Sequence, residues 1–339
     1  MTRLTRFLSG VAVAALVATA GHATETLTIS SWAGPTHGIN ANLFPKLIEM
    51  METATGGEVT GEIKYGLAPP PAQMDLILDG AADIAWIFHG YTPGRFVTTK
   101  LIELPGFTGN AEAASVADWR VYKEMFEKLD EHKGVKVIGL MTHGVGQIHT
   151  SKDVTTLADL NGLKTRLGGG VVTDVGTELG LVGIQVPAPK VYETLSSGAA
   201  DAVAMPVEGR KSFKLTEVAK NLYEMPGGFY RGSFALIMSQ EKFDSLSPEV
   251  QAKLESEVFG ETLSRLAGQV WDEADAEGRA ATEAASDNSI REASAEDIAA
   301  FTKISDKIRD KVLAEIDAAG ADGKAAYEMV KSEMAKETK

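Results

Sequence analysis

The chain has 339 residues, no cysteine and a net charge of −14. The lack of thiols excludes disulfides, thiolate metal ligands and cysteine nucleophiles, so stability must come from a core that a chain of this length can build. The negative charge argues against nucleic acid and anionic membranes as partners, and it makes a localised cationic site for an anion more noticeable.

The first 23 residues predict export from the cytoplasm. Arg3 and Arg6 precede an apolar run from Leu8 to Ala20, and small residues at 21–23 supply the cleavage positions. This layout is typical of a cleavable secretory signal peptide without a lipid-attachment cysteine, the alternative being an uncleaved anchor helix. Cleavage would leave 316 residues with a net charge of −16 in the periplasm, which is enough for two lobes.

Strand and helix patterns alternate from Thr26 onward. Alternating or fully apolar segments predict strands at 27–30, 58–65, 84–88 and 135–141. Helical spacing of apolar residues predicts helices at 42–51, 73–78 and 116–129. This βαβ order predicts an α/β fold with mainly parallel sheets covered by helices.

Two segments 118 residues apart resemble each other. Each is a short helical pattern ending at a glycine, followed by small residues and an aspartate: 80–83 and 198–201 both read Gly-Ala-Ala-Asp. A glycine after a helix suits the left-handed cap conformation. The echo predicts two similarly built lobes, unless it is a chance recurrence of a common helix–strand joint.

The C-terminal part reads as helical. Ser247 and Pro248 mark a helix start, and one apolar face then predicts a long helix over 248–284. A second helical pattern begins at Ser294 and runs to Ala318. The charged end at 331–339 is expected to fray.

The expected domain organisation follows from these patterns. We assign 1–23 to the signal peptide, 24–144 to the first lobe with return segments from about 231–339, and 145–230 to the second lobe. The chain is expected to cross between the lobes near 144 and near 231. Trp119 and Trp271 lie inside helical patterns and are assigned to the core.

No catalytic or metal-binding signature is present in the sequence. The six histidines form neither a His-Glu-x-x-His pair nor a metal cluster, and there is no Gly-x-Ser-x-Gly elbow. They are His22, His37, His89, His132, His143 and His149. We therefore expect no cofactor, no metal and no enzymatic activity.

Arg166 is the leading candidate for ligand binding. It follows Gly162 and precedes the glycines at 168–170, which let a backbone approach a ligand closely. The guanidinium offers a planar fork of donors that matches a carboxylate. The alternative is a surface arginine paired with a nearby acid.

Aromatic residues cluster at the ends of predicted strands, where open α/β sheets place ligands. The candidates are Trp32, Trp86, Phe88, Tyr91, Phe229 and Tyr230. Each of them could instead belong to the core.

Several segments together resemble the periplasmic solute-binding subunit of tripartite ATP-independent periplasmic (TRAP) transporters, the DctP type. They are Trp32-Ala33-Gly34-Pro35-Thr36-His37, Gly80-Ala81-Ala82-Asp83, Gly90-Tyr91-Thr92-Pro93-Gly94-Arg95, Asp159-Leu160-Asn161-Gly162-Leu163-Lys164-Thr165-Arg166, residues 191–201 and Leu246-Ser247-Pro248-Glu249-Val250-Gln251. The resemblance covers almost all of the chain after residue 23.

The resemblance implies a type II-like periplasmic binding protein with two α/β lobes, hinge segments and a long C-terminal helix spanning both lobes. It implies that the lobes close on a small organic acid whose carboxylate meets Arg166. The loaded protein, expected to be a monomer, would then deliver its ligand to the small and large TRAP membrane subunits.

One departure from the family pattern concerns the ligand. Where the family usually has an asparagine at the end of the strand 202–205, just before a proline, this chain has Met205, which packs well against aromatic rings. We therefore expect a monocarboxylate with an apolar or aromatic body. His143, after the strand 135–141, is a candidate donor, although a structural role for this lone histidine is the alternative.

Two other functions remain open at the level of sequence. A binding protein of an ATP-driven importer or of a sensor would have similarly built lobes, and a periplasmic enzyme could use the same fold. The enzyme would need a nucleophile with its base or a metal cluster, and neither is visible in the sequence.

Overall fold

Two mixed β-sheets, each covered by helices, form the two lobes of the protein. The computed structural model describes residues 24–338, and the predicted signal peptide at 1–23 lies outside the described residues. The strands of the described part are β1 (Glu25–Ser31), β2 (Val59–Tyr65), β3 (Ile84–Phe88), β4 (Val135–Thr142), β5 (Gln147–Thr150), β6 (Lys164–Leu167), β7 (Val182–Gln185), β8 (Ala202–Met205), β9 (Asn221–Glu224), β10 (Ser233–Ser239) and β11 (Ser289–Glu292).

The helices vary from one turn to more than six turns. They are α1 (Phe44–Thr55), α2 (Gln73–Leu78), α3 (Lys100–Glu103), α4 (Ala111–Val121), α5 (Val171–Glu178), α6 (Val191–Ser196), α7 (Gly209–Ser212), α8 (Leu215–Val218), α9 (Gln240–Ser245), α10 (Pro248–Lys253), α11 (Glu261–Ala284), α12 (Ala295–Ala318) and α13 (Gly323–Glu337). None of the helices within 24–338 is long and apolar enough to cross a membrane.

The sheets are mixed, so the prediction of mainly parallel sheets is only partly right. The first sheet has the order β2-β1-β3-β10-β4, and the second has the order β11-β9-β5-β8-β6-β7. β10 is antiparallel to β3 and β4, and β5 is antiparallel to β8 and β9. β5 and β10 are each the first strand after the chain crosses between sheets. Each is antiparallel to its neighbouring strands in the sheet that it enters.

From β1 to β10 the chain crosses between the two sheets twice. The chain leaves the first sheet after β4 and enters the second at β5, and it returns between β9 and β10. The tail does not return to the first lobe alone, however, because β11 pairs in parallel with β9 at the edge of the second sheet. All four residues of β11 are exposed, so the sequence carried no burial pattern that could reveal this strand.

The two Gly-Ala-Ala-Asp segments adopt equivalent local structures. Gly80 and Gly198 both have positive φ, at 69° and 72°. Asp83 then accepts a hydrogen bond from the backbone N–H of Thr28 in β1, and Asp201 accepts one from Lys164 in β6. The predicted correspondence between the two lobes is confirmed at this joint.

Helix α11 runs along both lobes. The Ser264 hydroxyl accepts a hydrogen bond from the backbone N–H of Leu140 in β4. Near the other end of α11, Arg279 pairs with Glu224 in β9 of the second sheet. The helix therefore packs on both sides of the hinge, as predicted for the spanning helix.

The predicted helix over 248–284 is wrong in its first part. α10 continues through a π-helical turn at Leu254–Val258, and the chain then breaks at Phe259 and Gly260 before α11 begins. Gly260 has φ +76°, and its N–H donates to the carbonyl of Ile138 in β4. A Cβ there would lie 3.0 Å from half-buried Trp119, so this break requires glycine.

The expected fraying of the C-terminal end is also wrong. α13 continues to Glu337, and its residues Val330 and Met334 are buried. Glu337 pairs with both Arg120 and Arg265. The charges that suggested a solvated end are therefore ion-pair partners that fix α13 against α4 and α11.

Candidate ligand-binding cavity

A cavity lies between the two lobes, at the ends of strands from both sheets. It encloses about 390 Å³ of space that protein atoms do not fill, part of it open to solvent. Seven of the nine predicted ligand-binding residues line it, which brings both lobes to one site: Trp32, Phe88, Tyr91, His143, Arg166, Met205 and Tyr230.

Arg166 is buried in the cavity wall with 3% of its surface exposed. Its Nε donates to the carbonyl of Val186 at 2.8 Å, and its Nη2 lies 3.3 Å from the hydroxyl of Tyr91. No carboxylate among residues 24–338 forms an ion pair with it, so the alternative of a paired surface arginine does not hold. A buried guanidinium without an anion is costly, so Arg166 is a candidate partner for an anionic ligand.

Tyr91 connects the two lobes beside Arg166. It follows β3 of the first sheet, and its hydroxyl accepts a hydrogen bond from the backbone N–H of Ala188 at 2.8 Å, just after β7 of the second sheet. The same oxygen lies within reach of Arg166, so one phenol group bridges the lobes and contacts the guanidinium.

Two glycines bring the lobes into direct backbone contact. A Cβ on Gly169 would lie 2.0 Å from the carbonyl oxygen of Gly90, and a Cβ on Gly90 would lie 2.7 Å from the carbonyl carbon of Gly169. Neither position has room for a side chain, so these lobes are closed on one another.

The cavity wall is largely aromatic. Trp32 stacks on Trp86 with ring centroids 3.9 Å apart, and Phe88 contacts Tyr91 edge-on at 4.7 Å. Phe234 in β10 packs against Phe88 at 4.9 Å. These rings provide flat apolar surfaces of the kind that favour an aromatic or apolar ligand body.

Two predicted site residues do not line the cavity. Trp86 is fully buried behind Trp32, and its Nε1 donates to the hydroxyl of Ser31. Phe229 is also fully buried and packs against Phe301, in the core beside the second sheet. Trp86 supports the wall from behind, whereas Phe229 belongs to the core.

His143 reaches the cavity as a neutral side chain. Its Nδ1 lies 2.5 Å from the carbonyl oxygen of Gly144 and 3.4 Å from the backbone nitrogen of Gly232. The shorter contact favours a proton on Nδ1, which leaves Nε2 as an acceptor. Burial lowers the pKa of His143 to about 4. This histidine can therefore accept a hydrogen bond from a ligand, whereas the sequence suggested a donor.

The sequence analysis missed three cavity residues with polar side-chain atoms, besides the apolar Phe213 and Phe234. Trp271 was assigned to the core because it lies within α11, and it is buried, but it also lines the cavity. His37 and Glu208 line it too. Glu208 comes two residues after Pro206, and the proximity to the strand 202–205 was the signal available for it.

Glu208 and His37 form a buried polar pair in the wall. Glu208 Oε2 lies 4.0 Å from His37 Nε2 and has no hydrogen-bond partner among the described residues. Burial raises the pKa of Glu208 to about 8 and lowers the pKa of His37 to about 4. Both groups are therefore neutral at pH 7.

Within residues 24–338 no group of three or more histidines and carboxylates is placed to hold a metal ion. His89 and His132 do meet, with their Nε2 atoms 2.9 Å apart, but they lie outside the cavity. The chemistry that the sequence predicts for the cavity is therefore limited to the recognition of an anion by Arg166.

Comparison with known proteins places this fold in a family. The model of bacterial extracellular solute-binding proteins, family 7 (DctP), matches residues 30–316. This chain belongs to the DctP family. The match spans both lobes and α11, so it covers every element that forms the cavity.

Solved structures of TRAP solute-binding proteins are similar to this DctP-family chain. One from Bordetella bronchiseptica, with bound (R)- and (S)-mandelate, is 36% identical, covers 92% of this chain and 99% of its own, and has a TM-score of 0.89. One from Rhodoferax ferrireducens, in complex with copurified benzoate, is 31% identical over 92% and 98% of the two chains, with a TM-score of 0.85. One from a marine metagenome, with 3-hydroxybenzoate, is 30% identical over 94% and 100%, with a TM-score of 0.86.

The DctP-family membership favours one of the functions that the sequence left open. The chain is a TRAP solute-binding protein of extracytoplasmic type, and its similarity to these neighbours runs through both lobes. The similar structures are TRAP proteins, which does not favour the ATP-driven importer or sensor.

Proposed function

We propose that this protein captures a monocarboxylate with an aromatic body in the periplasm and delivers it to the small and large membrane subunits of a TRAP transporter. The lobes close on the ligand, and the ligand leaves the protein chemically unchanged. The predicted ligand-binding residues that line the cavity act together in this capture.

The uncompensated charge of Arg166 is the observation that carries the proposal. The other titratable side chains of the cavity wall that could be charged are His37, His143 and Glu208, and burial keeps all three neutral at pH 7. The wall therefore holds one positive charge, which matches one carboxylate. Closure excludes water and strengthens this attraction, because the local dielectric falls.

The aromatic wall supports an aromatic ligand body. Trp32, Phe88 and Tyr91 present ring faces and edges, and Met205 supplies a flexible thioether that packs against rings. The neighbours solved with mandelate, benzoate and 3-hydroxybenzoate are consistent with such a ligand. A sugar acid would leave its hydroxyl groups against these apolar surfaces.

Binding measurements on the chain without residues 1–23 test the proposal. Dialysed protein is titrated calorimetrically with benzoate, mandelate, pyruvate and glucuronate, and the melting temperature is followed with each. A ligand at 100 times its Kd stabilises the fold by about 2.7 kcal/mol, a shift that a thermal scan detects. Binding of glucuronate with no response to the aromatic acids would overturn the proposed ligand class.

Variants at Arg166 identify the charge that binds. Arg166→Ala should weaken the best aromatic acid by about 30-fold or more, because it removes a desolvated charge partner. Arg166→Lys keeps the charge without the planar fork, so its affinity should lie between those of the unmodified protein and Arg166→Ala. Arg309→Ala, on the surface of α12, is the control and should bind normally. Unchanged affinity of Arg166→Ala would contradict the role of Arg166.

A further inference from the structure

The cavity contains a second polar group of side chains that the capture of a carboxylate does not use. Glu208 is 1% exposed, and its Oε2 has no hydrogen-bond partner among the described residues. Trp271 is 3% exposed, and its Nε1 is likewise without a partner there. Buried polar atoms are rarely left unsatisfied, so both atoms point to a partner in the cavity.

His37 completes this group. The backbone N–H of Ile39 donates to His37 Nδ1 at 3.3 Å, so the proton of the neutral ring is on Nε2. Nε2 lies 4.0 Å from Glu208 Oε2, and the ring of His37 contacts that of Trp271 edge-on, with centroids 5.5 Å apart. The group therefore offers two N–H donors beside one carboxyl group.

We propose that Glu208, His37 and Trp271 bind a hydroxyl group on the body of the ligand, so that hydroxylated aromatic acids are preferred over their unsubstituted parents. A hydroxyl both accepts and donates, which suits N–H donors beside a carboxyl oxygen. A plain ring would leave these polar atoms buried and unpaired, at a cost in binding. This inference rests on the proposed capture of an aromatic monocarboxylate.

The protonation of Glu208 makes the hydroxyl site compatible with an anionic ligand. Its pKa is raised mainly by burial and further by the neighbouring carboxyl of Asp275, while a hydrogen bond from Ser212 opposes the shift. His37, the other titratable group that faces it, is neutral at pH 7. An uncharged Glu208 does not repel the carboxylate held at Arg166.

Paired ligands test the hydroxyl site. Calorimetric titrations compare benzoate with 3-hydroxybenzoate, and phenylacetate with mandelate, which differ only by the ring or the α hydroxyl. The unmodified protein should bind at least one hydroxylated acid about tenfold or more tightly than its parent. The pair that shows the preference identifies where the hydroxyl lies.

Two variants locate the preference in the structure. Glu208→Leu removes the carboxyl group, and Trp271→Phe removes the N–H while keeping an aromatic ring. Each should reduce the ratio of the two affinities towards one. Glu277→Gln, an exposed site on α11, is the control and should keep the ratio.

The outcomes separate this inference from the proposed function. If no aromatic acid binds, the proposed function fails and the hydroxyl site fails with it. If the acids bind but each pair has equal affinities, or if both variants keep the preference, the hydroxyl site is wrong while capture by Arg166 stands. Equal affinities would mean that ordered water satisfies Glu208 and Trp271.

Discussion

The hydroxyl oxygen of Tyr91 lies 3.3 Å from Nη2 of Arg166 and accepts a hydrogen bond from the backbone N–H of Ala188. Tyr91 follows the first sheet, whereas the other two residues belong to the second lobe. The atom that joins the lobes therefore also contacts the proposed carboxylate-binding group. We expect closure and the proposed anion recognition to be coupled at this point, because opening the lobes would separate Tyr91 from both partners.

Tyr91→Phe should weaken ligand binding by about tenfold, since it removes the hydroxyl that accepts hydrogen bonds from Ala188 and Arg166 in the closed form while the ring contacts remain. Calorimetry with the best aromatic acid measures this loss. Tyr192→Phe is a matched control, because the Tyr192 hydroxyl bonds Glu217 on the surface. Equal affinities for Tyr91→Phe and Tyr192→Phe would show that the Tyr91 hydroxyl does not contribute to closure.

Gly90→Ala should hinder closure and weaken binding by about tenfold or more. The added methyl group would lie 2.7 Å from Gly169 and 2.6 Å from the ring of Phe88. The ring can move when the lobes are apart, so the ligand-free melting temperature should change little. Calorimetry and small-angle scattering with ligand measure affinity and compaction. Gly34→Ala has open space around it and is the control; full compaction of Gly90→Ala with unchanged affinity would contradict the steric argument.

Arg166 could be proposed as the anion-binding residue from the sequence because residue chemistry and local context agreed, and the structure places it in the cavity wall. Arginine is suited to a carboxylate, and the glycines after it predicted a close approach of backbone to a ligand. In the structure Gly169 instead approaches the backbone of Gly90 in the other lobe. The family resemblance then supplied the two lobes and the closure. The bridging role of Tyr91 could not be predicted from the sequence, because it depends on a hydrogen bond with Ala188, 97 residues away.

The sequence could not separate the aromatic residues that line the cavity from those buried behind it. Trp86 and Phe88 are two residues apart and lie on the same face of β3, so the alternation of a strand does not distinguish them. Trp271 lies on a helix whose buried face contacts both the core and the cavity. Glu208 and His37 were missed for a related reason. The burial and the contacts of a lone acid and a lone histidine depend on residues that are distant in the sequence.

Gly260→Ala should lower the free energy of unfolding of the ligand-free protein by about 1–3 kcal/mol, because φ at this position is +76° and a side chain would press on Trp119. Chemical denaturation measures the loss. Gly198→Ala is the comparison, since it also has positive φ but has open space around it. A smaller loss for Gly198→Ala than for Gly260→Ala assigns the difference to the Trp119 contact, and equal losses would contradict that assignment.

Buried carboxyl groups and buried histidines act on stability in opposite directions as pH changes. Burial raises the pKa of Glu103, Asp118 and Glu208 to about 8 and that of Asp275 to about 7. At these carboxyl groups the folded state therefore holds more protons than the unfolded state from about pH 4 to pH 8. Their contribution to the free energy of unfolding is lost as pH rises through that window. Burial lowers the pKa of the histidines, including His37, so that their contribution rises with pH up to about 6.5.

The melting temperature of the ligand-free protein should therefore fall between pH 6.5 and pH 8, where the buried carboxyl groups act without opposition from the histidines. Asp118→Asn should reduce this fall, because the amide cannot ionise. The melting temperature of the variant, compared with that of the unmodified protein at the same pH, should therefore be higher at pH 8 than at pH 6. Thermal scans across the range measure both effects. Asp153→Asn changes an exposed aspartate and should retain the original slope. A melting temperature that rises from pH 6.5 to pH 8, or equal slopes for the two variants, would contradict the assignment to buried carboxyl groups.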